Sequence, residues 1–164
     1  MAVTVPDGDF ESCTVCGNDQ YRNKIPMWAA TSGTGDTDAA YVGWNNGQGH
    51  GGSDKYLAMW SASAYVDDTT QTITGLANGT YELAFWAKGA TTGINAFSLN
   101  AKDYSSNAAD VLTQSATITS SDNYVQFKLS NIPVTSGKLT IDIHADCVAQ
   151  AWIDADDVTL FRVQ

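Results

Sequence analysis

Positive charge is what this chain has least of: Lys and Arg number 8 against 18 Asp and Glu, a formal net charge of −10 at pH 7 over 164 residues. So acidic a surface repels nucleic acid and anionic membranes and favours a neutral partner or a cation. Histidine is nearly missing too, at 2 residues, which leaves little for triad chemistry. The sequence contains no Gly-x-Ser-x-Gly, no His-Glu-x-x-His, no P-loop and no dinucleotide fingerprint. A carboxylate pair for glycoside hydrolysis remains open, because Asp and Glu are abundant, but none stands beside aromatics in a way that singles it out. No apolar run approaches the length of a membrane span. The opening MAVTVPDGDFE lacks the basic stretch and apolar core of a signal peptide. The expectation is one domain over residues 1–164, belonging to a larger secreted polypeptide.

Cysteine is limited to 3 residues, an odd number that settles no redox compartment. Cys13-x-x-Cys16 with His144-x-x-Cys147 offers four ligands in two spaced pairs, so a structural zinc site is weighed against free or partly disulfide-bonded cysteines, and the latter prevail.

What the chain has in quantity is two-residue alternation. In Thr80 to Lys88, residues Tyr81, Leu83, Phe85 and Ala87 share one phase while Glu82, Ala84, Trp86 and Lys88 share the other. Gln71 to Thr74 precedes it, and Asn78-Gly79 reads as the tight turn of a hairpin. Further strands are expected near residues 3–5, 55–61, 96–102, 115–119, 124–129, 138–144 and 157–162. No segment shows a helical period, and strands at intervals of about 10 to 15 residues indicate an all-β fold, a two-sheet antiparallel sandwich. Gly17 to Gly52 is rich in Gly, Asn and Asp and reads as a long loop, with Trp28 as a structural plug and a flexible tip near Gly47 to Gly52. Its Trp44, Asn45, Asn46 and His50 form either a binding rim or a merely solvated loop.

With Leu57, Leu83, Phe85, Phe97, Leu99, Ile141 and Ile143 in the core, the opposite phase presents Trp60, Trp86, Lys88, Asn100, Lys102, Asp142 and His144. Tryptophans among amides and charges suit a sugar, whose C–H face packs on an aromatic ring while its hydroxyls meet short polar groups. The alternative is that loops cover Trp60 and Trp86 and extend the core. Trp152, beside the acidic run, fits either role. That run, Asp154 to Asp157, together with Glu11 and the Asp7 to Asp9 turn, could hold Ca²⁺ if the first and last strands are neighbours; the alternative is a solvated acidic surface.

Several stretches carry a family resemblance: Asp7-Gly-Asp-Phe-Glu11, Tyr56-Leu-Ala-Met-Trp60 with Tyr65, Gln71 to Tyr81 with Trp86, Ala101-Lys-Asp-Tyr104, Asn131 to Gly137, and Trp152 with Asp156-Asp-Val158. In these the chain resembles the non-catalytic carbohydrate-binding modules of jelly-roll type, most closely the family 61 modules attached to secreted bacterial endo-β-1,4-galactanases. The Gly- and Asn-rich insertion from Ser32 to Gly52 and the Cys pair after Glu11 depart from the pattern. The resemblance implies a structural calcium at Glu11 and Asp156, and binding of a plant cell-wall polysaccharide, with β-1,4-galactan the first candidate. Xylan, β-glucan and mannan are bound by related modules. It also implies an extracellular, monomeric module tethered to a catalytic domain, with no enzymatic activity of its own. The ligand-binding candidates are Trp60, Trp86, Lys88, Asn100, Lys102, His144 and Trp152. The rival class is a calcium-stabilised structural or adhesion domain of a cell-surface protein.

Overall fold

The computed structural model describes residues 1–16, 22, 24–35 and 39–163, the side chains of 32–35 excepted. Among the described residues eleven strands follow one another: β1 (Ala2–Val3), β2 (Ala29–Gly35), β3 (Ala40–Trp44), β4 (Lys55–Trp60), β5 (Tyr65–Thr74), β6 (Gly79–Gly89), β7 (Ile94–Lys102), β8 (Val111–Ser115), β9 (Val125–Val134), β10 (Lys138–Cys147) and β11 (Trp152–Arg162). The described residues include no α-helix, only a 3-10 turn at His50–Gly52. One sheet runs β3-β4-β11-β6-β9 with β1 added beside β11; the other runs β2-β5-β10-β7-β8. All pairings are antiparallel.

The two sheets face each other through the alternate positions that periodicity assigns to the core. Leu57, Leu83, Phe85, Phe97, Leu99, Ile141 and Ile143 are all buried. Phe85 meets Phe97 edge-on across the sandwich, with ring centroids 5.5 Å apart. Tyr65 sends its hydroxyl from β5 to the carbonyls of Met59 and Ala151, 3.2 and 3.0 Å away, which ties one sheet to the other. Trp28 plugs the edge as expected: it is buried against Phe10, and its indole N–H donates to the Asp7 carbonyl at 3.0 Å.

Gln71 to Lys88 does not form a hairpin. Thr74 pairs with Lys138 in one sheet and Gly79 with Val134 in the other. Residues 75–78 therefore cross the thickness of the sandwich, about 10 Å. Gly75, at φ 73°, turns the chain, and Leu76 drops into the core between the sheets with its amide on the Gly137 carbonyl at 2.9 Å. Alternation fixes which side chains of a strand are buried but not which strand lies next to it.

The stretch expected to be one long loop contains β2 and β3. The supposed flexible tip is fastened down: the Gly49 amide bonds the Ser53 carbonyl at 2.8 Å, and the His50 amide bonds Asp156 at 2.9 Å. A Cβ on Gly49 would lie 1.9 Å from Ser53 Oγ, so the segment closes only on glycine.

The last strand contains a β-bulge. Asp156 pairs with Trp86 and Thr159 with Ala84, so β11 takes three steps where β6 takes two. The extra residue is Asp157, at φ 49°.

Candidate functional site

The register of the six-stranded sheet assembles one outward face from four strands. Tyr41 of β3 lies opposite Ala58 of β4, Ala58 opposite Asp154 of β11, and Asp154 opposite Lys88 of β6. Two residues along one way, Trp60 faces Trp152; two residues along the other, Gly43 faces Tyr56 and Asp156 faces Trp86. Ala58 and Gly43 leave low ground between rings, and a Cβ on Gly43 would lie 2.4 Å from the Tyr56 ring.

Trp60 and Trp152 are both half-buried, so each offers part of its surface to solvent. Arg22 lies over the rings of Tyr41 and Trp60, 5.0 and 5.6 Å from their centroids, and donates to the Trp60 carbonyl at 2.6 Å. Lys88 lies 4.8 Å from the Tyr124 ring centre. Between these groups lies Asp154. Burial lifts its carboxyl to about 7, with Lys88 drawing it down and Asp156 adding to the rise. Its field reaches both flanking phenols, Tyr56 and Tyr124, whose pKa values are raised mainly by burial. No donor among the described residues hydrogen-bonds the Asp154 carboxylate.

Trp86 is less available. The His50 imidazole stacks on it at 4.1 Å between centroids and 17° between planes, and meets Tyr124 edge-on at 5.6 Å. His50 Nδ1 is 2.6 Å from Asp157 Oδ2, so the bulge residue anchors the ring that covers the tryptophan. Trp44, at the end of β3, remains exposed, with the Lys55 ammonium 4.6 Å from its ring centre, and Asn45 Nδ2 donates to the Tyr56 hydroxyl at 2.8 Å.

The outward residues expected to form one surface are divided between two. Trp60, Trp86, Lys88 and Trp152 lie on the face just described; Asn100, Lys102 and His144 lie on the outer face of the five-stranded sheet, on the far side of the sandwich. There Lys102 Nζ is 2.5 Å from Asp142 Oδ2, the Asn100 amide donates to Ser98 Oγ at 3.2 Å and to Asp142 at 3.4 Å, and His144 Nδ1 is 2.7 Å from Asp68 Oδ1. This second face carries hydroxyls, amides and ion pairs. A cleft of about 440 Å³ at its β7–β8 end is lined chiefly by Ile94, Ser98, Thr113, Ser115 and Thr117, and its one ring, Phe97, is buried.

Five residues of the aromatic face, Arg22, Tyr41, Tyr56, Tyr124 and Asp154, are absent from the expected ligand set. Asp154 had a readable signal, since Trp152, Asp154 and Asp156 recur on one two-residue phase. Tyr41 lay in the stretch read as a loop, and Tyr124 immediately precedes β9.

Glu11 and Asp156, the expected calcium pair, are fastened to one segment. Glu11 Oε1 accepts the Lys55 amide at 3.0 Å; Asp156 Oδ2 accepts the His50 amide at 2.9 Å and Ser53 Oγ at 3.0 Å, and Oδ1 accepts the Asp157 amide at 2.8 Å. Asp156 is fully buried, and burial raises its carboxyl to about 7. These are oxygen donors of the kind Ca²⁺ takes, each with lone pairs to spare. Among the described residues no three His, Cys, Asp or Glu side chains gather into a ligand set, so an ion here would also need backbone carbonyls. The Lys55 ammonium already engages two, those of Glu11 and Cys13, at 2.9 and 2.7 Å. The zinc arrangement fails on geometry: His144 points outward from β10, whereas Cys147, three residues on, points into the core.

Comparison with known proteins begins with two blanks: no family profile matches the sequence, and no curated protein does. Solved structures do match. A family 61 carbohydrate-binding module in complex with β-1,4-galactotriose superposes at a TM-score of 0.77 with 22% identity, over 96% of this chain and 97% of that one. The fold is that of the β-sandwich carbohydrate-binding modules. A xylan-binding family 22 domain of Xyn10C from Paenibacillus barcinonensis has the same fold at a TM-score of 0.58 and 13% identity, covering 90% of this chain and 89% of its own. So does the K1 cleaved adhesin domain of Lys-gingipain from Porphyromonas gingivalis W83, at 0.62 and 15%, covering 85% and 92%. The carbohydrate-binding-module sandwich thus also serves as an adhesin scaffold, and function has to be argued from the site.

Proposed function

We propose that this chain is a non-catalytic module that binds a neutral plant cell-wall polysaccharide, with β-1,4-galactan the first candidate, on the outer face of its six-stranded sheet. The observation that carries the reading is Asp154: a half-buried carboxylate without a hydrogen bond, in the floor of a face flanked by Trp60, Trp152, Tyr41, Tyr56 and Tyr124. A hydrogen bond to a charged acceptor contributes about 1.5–3 kcal/mol. A sugar hydroxyl can donate to the Asp154 carboxylate while the ring packs on a tryptophan. Lys88 and Arg22 supply donors for hydroxyl and ring oxygens. Stacking on an uncharged glycan releases few counterions, so affinity is modest and nearly independent of salt.

In this reading Trp60 and Trp152 are the stacking residues, and Trp86 supports the loop above it. The module is secreted, and a covalently attached glycoside hydrolase uses it for adsorption. A structural calcium held by Glu11 and Asp156 belongs to the same reading; both carboxylates converge on the His50–Lys55 segment and would lock it.

Affinity electrophoresis through galactan, arabinogalactan, xylan, β-glucan and galactomannan tests the proposal. Selective retardation by one glycan, lost in Trp60→Ala and in Asp154→Ala but kept in Lys102→Ala, is the expected result. No retardation in any gel overturns the carbohydrate reading in favour of an adhesion or structural domain, and release of reducing ends overturns the non-catalytic one.

A further inference from the structure

Trp86 belongs by register to the same line of rings as Trp60 and Trp152. Trp152 stands opposite Trp60, Asp154 opposite Lys88 two residues on, and Asp156 opposite Trp86 two residues beyond that. A glycan laid along β11 from the two tryptophans over Asp154 therefore arrives at the Trp86 indole after about 13 Å of strand. It finds that place taken. The His50 imidazole lies nearly flat on the indole, 4.1 Å between centroids and 17° between planes, which is how a sugar ring would cover it.

The stop is a wall and not a single side chain. Residues 45–54 cross the face from β4 to the residue before β9: Asn45 Nδ2 donates to the Tyr56 hydroxyl at 2.8 Å, the His50 amide donates to Asp156 at 2.9 Å, and the Tyr124 hydroxyl donates to the Gln48 carbonyl at 3.2 Å. The segment is also braced on itself, since the amides of Asn45 and Gly47 donate to the Asp54 carbonyl and carboxylate, each at 2.9 Å. Residues 45–48 are exposed along it, whereas Gly49 is buried and His50 half-buried.

We propose that His50 is a specificity-determining residue: it holds the sugar position on Trp86 and ends the binding face there, so that the module takes the terminal segment of a glycan chain instead of an interior stretch. This rests on the aromatic face being the glycan site. An interior stretch has to leave the face at both ends, and the way past Trp86 runs into the wall; a chain terminus needs only one way out. The residues responsible lie in the Gly- and Asn-rich insertion that departs from the family pattern, so the stop is a property of this chain. It can be removed without undoing the loop. His50→Ala keeps the amide that Asp156 accepts and gives up only the imidazole, leaving the Asp157 side chain, already 41% exposed, to solvent.

The test is isothermal titration calorimetry with length-fractionated chains of whichever glycan retards the unaltered protein in the electrophoresis panel, galactan first. The unaltered protein should bind as one module per chain at every length. His50→Ala should bind long chains about three- to tenfold more tightly, with several modules per chain, and His50→Ala/Trp86→Ala should lose that gain. Thermal melts check that each variant is folded, and the stoichiometry of the unaltered protein decides the matter whether or not a variant folds. Three results would each overturn the proposal while leaving the glycan reading in place: bound modules that increase with chain length in the unaltered protein, a folded His50→Ala indistinguishable from it, or a gain that survives loss of Trp86. Absence of binding to every glycan of the panel overturns the glycan reading and this proposal with it.

Discussion

Asp154 stands opposite Lys88 across the β11–β6 ladder, near enough for the ammonium to draw its pKa down, yet no hydrogen bond joins them. The two groups hold opposite charge at neighbouring positions of one face and leave their hydrogen-bonding capacity unspent. Asp154→Ala should therefore lower affinity for the bound glycan about 10- to 100-fold, the worth of a charged hydrogen bond, while the fold stays intact. Isothermal titration calorimetry beside a thermal melt separates the two readouts. A melt that collapses with unchanged affinity would make Asp154 a packing residue.

Trp60 and Trp152 should respond differently from Trp86. Replacing either of the first two by Ala removes a ring that faces solvent, and retention in affinity gels should fall at least about tenfold with a small change in melting temperature. Trp86→Ala removes the surface on which His50 stacks, so its main effect should be on stability, about 1–2 kcal/mol in urea unfolding, with part of the binding preserved.

Chelation should destabilise the module. An ion present at about a hundred times its dissociation constant contributes roughly 2.7 kcal/mol, or about 5–10 °C in a domain of this size. Differential scanning calorimetry with calcium and with a chelator should show that shift, and Glu11→Gln should erase the difference between the two traces. Identical melts for the unaltered chain would remove calcium from the account.

On the other sheet, Asp142 is 1% exposed. Burial raises its pKa, with Lys102 opposing and Asp68 adding to the rise. A carboxyl that is a weaker acid when folded binds more protons in the native state. Its contribution is thus full below the ordinary carboxylate range, near pH 4, and is lost as pH climbs through the raised folded value. Lys102, raised chiefly by its hydrogen bond to Asp142, contributes over the whole of that window and fails only above the normal lysine range. Urea unfolding between pH 4 and 8 should show a steeper decline for the unaltered chain than for Asp142→Asn. Parallel curves would mean that Asp142 titrates alike in both states.

Much of the sandwich was legible because its central strands bury one complete face. Tyr81, Leu83, Phe85 and Ala87, or Leu139, Ile141 and Ile143, announce themselves by period alone. β2 did not, since Ala29–Gly35 is a run of small, polar and glycine residues with little strand preference, ordered by its ladder to β5. β8 was expected at 115–119 and lies at Val111–Ser115; as an edge strand with no fully buried residue it carries no face to read. The site was half legible for a related reason. Both sheets of a sandwich have an outward phase, and in sequence Asn100, Lys102 and His144 look like companions of Trp60 and Trp86. Only strand order separates them, and strand order depends on crossings such as 75–78 that alternation does not encode.

The bulge in β11 can be seen as an added residue that the ladder does not need. Before it, Ile153 and Ala155 face the core; after it, Val158 and Leu160 do. Excising Asp157 would join these two sets in unbroken alternation, so the sheet would keep its register and lose a left-handed, non-glycine residue costing on the order of 1 kcal/mol. What would disappear is the partner of His50 and the amide that Asp156 Oδ1 accepts. The strand is more irregular than its own pairing demands, and the irregularity serves the loop lying over Trp86.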